Sequence, residues 1–337
     1  MRIAMVADTP TRSEQDSPLP ALAHALSVAG HEVALQVQQG PNRSKRSVTR
    51  FADVLADRWR TERPDVVHAC STFAGTAAVK AARRVGVPVV YAVDESPVTA
   101  DDAAVLAAAD HVFAPYGGQR PALVRAGVPR WRMSVLPYGL DVNHFTPDGA
   151  GAETRAARRI VSVGSVEPGS GFGTPVAALP ALRDTELVVV GGPAHGKHAG
   201  ELRAYARTLG VADRLVLAGS VPRAELPTLL RSADLVVCTP WTASFGIAAV
   251  EAMACGVAVV ANAVGGLADT VVHGVTGIQV APRRPRELAA ALRAVLGKRV
   301  VREQLGASGR DRAETRYSWN FVATQAVHAY QRVLRTP

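Results

Sequence analysis

The sequence predicts an α/β fold made of two doubly wound, Rossmann-like domains in tandem. Three observations lead there. Short apolar runs of β type alternate with helix-period segments along the whole chain, as parallel strands joined by helical crossovers do. The alternation comes in two half-chain series, separated by a polar, Gly/Ala-rich stretch at 148–155. At 337 residues the chain is long enough for two separate cores.

In the first series the β-type runs fall at 2–7, 33–37, 65–69, 87–92, 111–114 and 133–136. Helical spacing of apolar residues fills 19–29, 48–59 and 73–85, with stops at Gly30 and Gly86, the latter just before Val87-Pro88. Crossovers of this length are right-handed, so they wind a single sheet. The second series places runs at 159–163, 186–190, 214–218, 235–238, 257–260 and 277–280, and two helices close the chain at 300–317 and 319–334. The expected division is 1–145, 146–317 and a terminal helix at 318–337.

Composition narrows the function classes. Apolar residues make up 48% and charged residues 20%, a globular balance without the signature of disorder. The apolar runs are short and interrupted, and the chain enters a strand-like run at Arg2 directly. A cytoplasmic protein is expected. Cys70, Cys238 and Cys255 sit in apolar runs and read as small buried residues of a reducing compartment. No Cys-x-x-Cys or His-Glu-x-x-His spacing occurs, so no metal is expected. The net charge is +9, and after residue 145 there are 22 Lys+Arg against 15 Asp+Glu. The excess favours an acidic partner, either a phosphorylated ligand or the anionic face of a membrane contacted peripherally. Basic runs interleaved with aromatics are missing, which speaks against nucleic acid.

The most informative stretch is 241–264. An apolar strand at 235–238 runs into a loop, a helix opens at Phe245-Gly246-Ile247, and it closes at Gly256 before another buried run. Gly246 permits close backbone approach, and the free N–H groups of a helix start favour an anion. Glu251 lies about a turn and a half into that helix. Together these features describe a nucleotide crevice at a strand edge. The alternative is an ordinary strand–helix–strand unit with Glu251 on a helix surface.

The same residues carry a resemblance. Phe245-Gly246-Ile247, then Glu251-Ala-Met-Ala-Cys-Gly256-Val, then Val264-Gly265-Gly266-Leu267, resemble the donor-site signature of family 4 glycosyltransferases with the GT-B fold. Leu136-Pro-Tyr-Gly-Leu-Asp through Pro147 is similar to the family's hinge segment, with Tyr138 where Asn is usual, and Tyr317-Ser318-Trp319 matches its aromatic-Ser-Trp. The resemblance spans nearly the whole chain and is strongest after Val135. It implies two domains facing across a cleft, and retaining transfer of a sugar from a nucleotide-diphosphate donor to a small-molecule or lipid-linked hydroxyl acceptor. The nucleotide sugar is then a co-substrate, and no cofactor or metal is required.

Family positions map onto this chain with departures. Glu251 matches the carboxylate that holds the donor ribose, whereas its sugar-contacting companion falls on Ala243. The phosphate-binding Arg and Lys fall on Ser165 and Ser170, within Val163-Gly164-Ser165 through Gly171. Losing two charge-assisted hydrogen bonds costs about 3–6 kcal/mol, or about 10²–10⁴ in affinity. Two readings of this loop stand: an N–H nest at Gly169-Ser170-Gly171-Phe172-Gly173 that compensates in part, or a flexible, glycine-eroded loop that binds nothing. The donor base is expected near Gly219 and Val221. Asp94 stands where the family has a catalytic His, and reads either as a positioned base or as a solvated loop acid. Gly191 through Lys197 nearly matches a phosphate-binding P-loop, but His198 takes the Ser/Thr place; Lys197 also reads as a replacement cation. Sugar transfer is the leading function. The alternative is a GT-B protein that has lost transfer and serves as partner or regulator of another enzyme.

Overall fold

The computed structural model describes residues 1–8, 18–38, 44–93, 98–99, 102–154, 156–167, 169–242 and 245–335. The chain divides into two compact units, one of residues 1–139 with 319–337 and one of residues 140–318.

The first unit runs β1 (Arg2–Asp8), α1 (Pro18–Val28), β2 (Glu32–Gln38), α2 (Lys45–Thr61), β3 (Val66–Cys70), α3 (Thr72–Val85), β4 (Val89–Ala92), α4 (Ala103–Ala108), β5 (His111–Ala114), α5 (Arg120–Arg125) and β6 (Met133–Val135). The strands form one parallel sheet in the order β2-β1-β3-β4-β5-β6. Alternation along β1 gives each face its own core. Ala4 and Val6 join Phe51, Leu55 and Trp59 of α2, while Ile3 and Met5 join Leu22 and Leu26 of α1. The helices end where the sequence marks them: Gly86 caps α3 in the left-handed region at φ 65°.

The second unit runs β7 (Arg158–Val163), α6 (Gly173–Ala178), β8 (Thr185–Val190), α7 (Lys197–Thr208), β9 (Leu215–Gly219), α8 (Leu226–Arg231), β10 (Leu235–Cys238), α9 (Ile247–Ala254), β11 (Val259–Asn262), α10 (Gly265–Thr270), β12 (Ile278–Val280), α11 (Pro285–Leu296) and α12 (Arg299–Tyr317). Its parallel sheet has the order β12-β11-β10-β7-β8-β9, so the winding reverses between β10 and β7. Residues 140–145, which the sequence boundary assigns to the first domain, pack in this unit. Phe145 is buried, Leu140 N–H donates to Tyr317 O at 2.6 Å, and the Arg310 guanidinium donates to Val142 O, Phe145 O and Ala254 O at 2.7–2.9 Å.

After α12 the chain re-enters the first unit as α13 (Trp319–Arg335). Its buried Val322 and Ala326 join the α1 side of the core, and Tyr330 OH hydrogen-bonds His68 Nδ1 at 2.5 Å. Burial lowers the His68 pKa to about 4, so the ring at this contact is neutral.

The helix that carries Glu251 is fixed by close packing of α12. A Cβ on Gly306 would lie 2.0 Å from Gly256 O, and one on Gly309 would lie 3.1 Å from Met253 Cγ. Gly306→Ala must push α12 away from a backbone carbonyl. A loss of about 1–3 kcal/mol is expected by urea denaturation; an unchanged midpoint would show that α12 has room to shift.

Candidate functional site

Parallel α/β sheets bind ligands beyond the carboxyl ends of their strands, at the point where the order reverses. In the second unit that point lies between β7 and β10, and the loops following these two strands are knitted together. Thr239 Oγ1 donates to Gly171 O at 3.3 Å, and Trp241 N–H donates to Gly169 O at 2.9 Å. Asn262, at the end of β11 and fully buried, donates through Nδ2 to Pro240 O at 2.9 Å. The approach is so close that a Cβ on Gly171 would sit 1.7 Å from Thr239 O. Gly169 and Gly171 are thus tied to the loop after β10. Ser165 is exposed, and the Ser170 hydroxyl donates to Glu167 O at 2.6 Å within its own turn.

The near-match to a P-loop has a different physical cause. Gly191 and Gly192 have φ of 111° and 66°, and Cβ atoms there would meet Gly164 O at 2.4 Å and Val166 N at 2.9 Å. These glycines let the β8 loop press on the β7 loop. His198, in the place of the magnesium-holding residue, pairs with Glu201 at 3.0 Å. Lys197 is exposed at the first residue of α7, and no described hydrogen bond or ion pair joins it to the other candidates.

On the other side of the reversal, Gly246 takes φ 85° and α9 opens at Ile247. No side chain caps its first turn among the described residues, which leaves the N–H groups of Ile247 and Ala248 without a side-chain cap. A Cβ on Gly246 would meet Leu267 Cδ2 at 2.4 Å, and Thr270 Oγ1 donates to Phe245 O at 3.1 Å, so this helix start is held from behind. Glu251, one turn further on, is 2% exposed. The surface reading of Glu251 is thereby excluded. Its charge is felt nearby: burial, with Glu251 adding, pushes the Cys238 thiol up to about 12.

A buried carboxylate needs a cation, and sequence reading did not supply one. The structure supplies Arg223, from the loop after β9. Its Nη1 lies 2.7 Å from Glu251 Oε1, off the alignment of a hydrogen bond, so the contact is an ion pair. The guanidinium passes over the Phe145 ring at 5.0 Å, and Arg223 O meets His144 Nε2 at 3.1 Å. Gly219, at φ 75°, accepts from Gly191 N–H at 2.7 Å and starts the loop that passes Val221 on the way to Arg223. Sequence offered no signal for Arg223, a polar residue in a polar turn. Asp94 and Ala243 lie outside the described residues.

A cavity of about 450 Å³ opens at the opposite, amino-terminal edge of this sheet, lined by Arg158, Asp184 and Arg293. It is remote from the reversal loops and is not the candidate site. Among the described residues, no helix is long and apolar enough to cross a membrane.

Arg223→Ala removes the guanidinium that lies against the buried Glu251 carboxylate. Because Arg223 is 45% exposed, water replaces part of its attraction. A loss of about 1–2 kcal/mol is expected in thermal unfolding. Stability equal to the parent would mean that Glu251 does not depend on this partner.

Comparison with known proteins places these features in a family. The model described as Glycosyl transferases group 1 matches residues 152–312, and that described as Glycosyltransferase Family 4 matches residues 6–144. A D-inositol 3-phosphate glycosyltransferase of Xylanimonas cellulosilytica is 33% identical over 298 residues, 79% of this chain and 71% of the relative. One from Jonesia denitrificans is 35% identical over 222 residues, 60% of this chain; the chain spans about half the length of that relative, 51%. The crystal structure of Anabaena HepE in complex with UDP superposes with a TM-score of 0.79 at 19% identity, over 98% of this chain and 100% of that one, and shows the same GT-B fold. The chain belongs to family 4 of the glycosyltransferases.

Proposed function

We propose that this chain transfers a sugar, with retention, from a nucleoside diphosphate to a hydroxyl acceptor. The observation that carries this reading is Glu251: a carboxylate 2% exposed, one turn into a helix whose free N–H groups lie at the sheet reversal. Ionised, it is an acceptor only, with two oxygens suited to the adjacent hydroxyls of a ribose. The α9 amides at Ile247 and the turn at Gly164, Ser165, Ser170 and Gly171 then face the diphosphate, and the base lies toward Gly219 and Val221. The reaction exchanges one bond for another. The anomeric carbon–phosphate oxygen bond breaks, the acceptor oxygen bonds the same face of that carbon, and the acceptor proton passes to the departing phosphate. In this reading the backbone N–H groups of these turns meet the diphosphate, and no metal is invoked. The relatives named as D-inositol 3-phosphate glycosyltransferases support a small hydroxyl acceptor.

One observation favours a second reading, a chain that binds donor weakly and acts as a partner of another enzyme. Neither Ser165 nor Ser170 brings a charge to the loop, and the Ser170 hydroxyl is occupied by Glu167 O. One variant tests the site, and turnover by the parent chain separates the two readings. Glu251→Ala is expected to weaken binding of the preferred nucleotide by about 1.5–3 kcal/mol in calorimetry and to abolish sugar transfer. An unchanged dissociation constant for every nucleotide that binds would count against the site as drawn, and binding without turnover by the parent chain would favour the partner reading.

A further inference from the structure

Arg283, in the loop after β12, is a cation held against an aromatic ring of the loop after β10. Arg159 is paired with Glu186, Arg310 with Glu314, and Arg223 with Glu251. Arg283, two residues before α11, has no carboxylate partner among the described residues. Its guanidinium lies 4.2 Å from the centroid of the Trp241 ring. The backbone of Arg283 sits at φ 59°, a left-handed conformation that an arginine adopts only when its surroundings hold it there. Trp241 is 43% exposed, and its backbone N–H donates to Gly169 O, next to Ser170. An exposed arginine is thus fixed on an aromatic face and joined, through that tryptophan, to the turn between β7 and α6.

We propose that Arg283, held on Trp241, binds an oxyanion of the donor: its diphosphate, or a carboxylate on its sugar. The proposal rests on the donor reading of the same crevice. Stacking on an indole leaves the N–H edge of a guanidinium free, and an arginine presented this way meets phosphate or carboxylate through two parallel hydrogen bonds. The charge that Ser165 and Ser170 do not bring then comes from the loop after β12, on the other side of the reversal. Lys197, the cation that sequence singles out, has no comparable aromatic support among the described residues.

The test is calorimetry on the full chain and on Arg283→Gln and Arg283→Lys. The ligands are the best-bound of UDP, GDP and ADP, its parent nucleoside, and UDP-glucose against UDP-glucuronate. Arg283 is exposed, so both variants are expected to fold as the parent does. For a diphosphate contact, Arg283→Gln weakens the nucleotide by about 10- to 100-fold, leaves the nucleoside unchanged, and is largely rescued by Arg283→Lys. For a sugar carboxylate, only UDP-glucuronate weakens. Either pattern supports the proposal. Equal loss for nucleoside and nucleotide overturns it, because Arg283 then shapes the site without reading charge. If Arg283→Gln binds every ligand as the parent does while Glu251→Ala does not, the proposal falls and the donor reading stands. If no nucleotide binds the parent, both fall.

Discussion

The second unit is arranged around a charge that should not be buried. A carboxylate removed from water is costly unless a cation and hydrogen bonds meet it, and Glu251 is almost fully enclosed. Much of the nearby structure answers that demand. Arg223 comes across Phe145 to reach it, which requires Phe145 to be locked in place. Arg310 does so by holding the carbonyls of Val142, Phe145 and Ala254 together, joining the segment after residue 139 to the end of α9. Glycines in α12 allow that helix to lie directly against α9. Hydrophobic burial alone gives no reason to keep an acid at this position; the proposed donor, with ribose hydroxyls to donate, would give one.

The second constraint is backbone proximity. Around the reversal of the sheet, Gly171, Gly191 and Gly246 sit at positive φ where a Cβ would collide with neighbouring atoms. The result is a set of loops that brace one another: β7 against β10 through Gly171 and Thr239, and β8 against β7 through Gly191 and Gly164. Glycines that look like a phosphate cradle in the sequence serve as contact surfaces in the fold. The P-loop resemblance of 191–198 arises in this way, and it illustrates why glycine spacing alone is weak evidence of a ligand.

The fold was largely legible because its signals are local. Strand and helix periods, Gly86 as a helix stop, and the Phe245-Gly246-Ile247 helix opening need no knowledge of distant residues. The division of the chain was less legible. Residues 140–145 read as the end of one domain, but their partners are Tyr317 and Arg310, more than 160 positions away, as the separation between Arg310 and Phe145 shows. The charges of the site were the least legible part. Arg223 and Arg283 lie in polar turns after β9 and β12, and only tertiary structure brings them to Glu251 and Trp241. Lys197 attracted notice because it follows glycines, yet the fold leaves it apart from the other candidates. Side-chain reach across loops has no periodicity, so sequence patterns cannot report it.

The central claim is that this arrangement still serves a nucleotide, despite serines where the resemblance leads one to expect cations at 165 and 170. Titration of the parent chain with UDP, GDP and ADP in a calorimeter tests it most directly. Saturable binding of one of the three at a single site per chain is expected, with clear preference over the other two. The absence of binding by all three at millimolar concentration would contradict it.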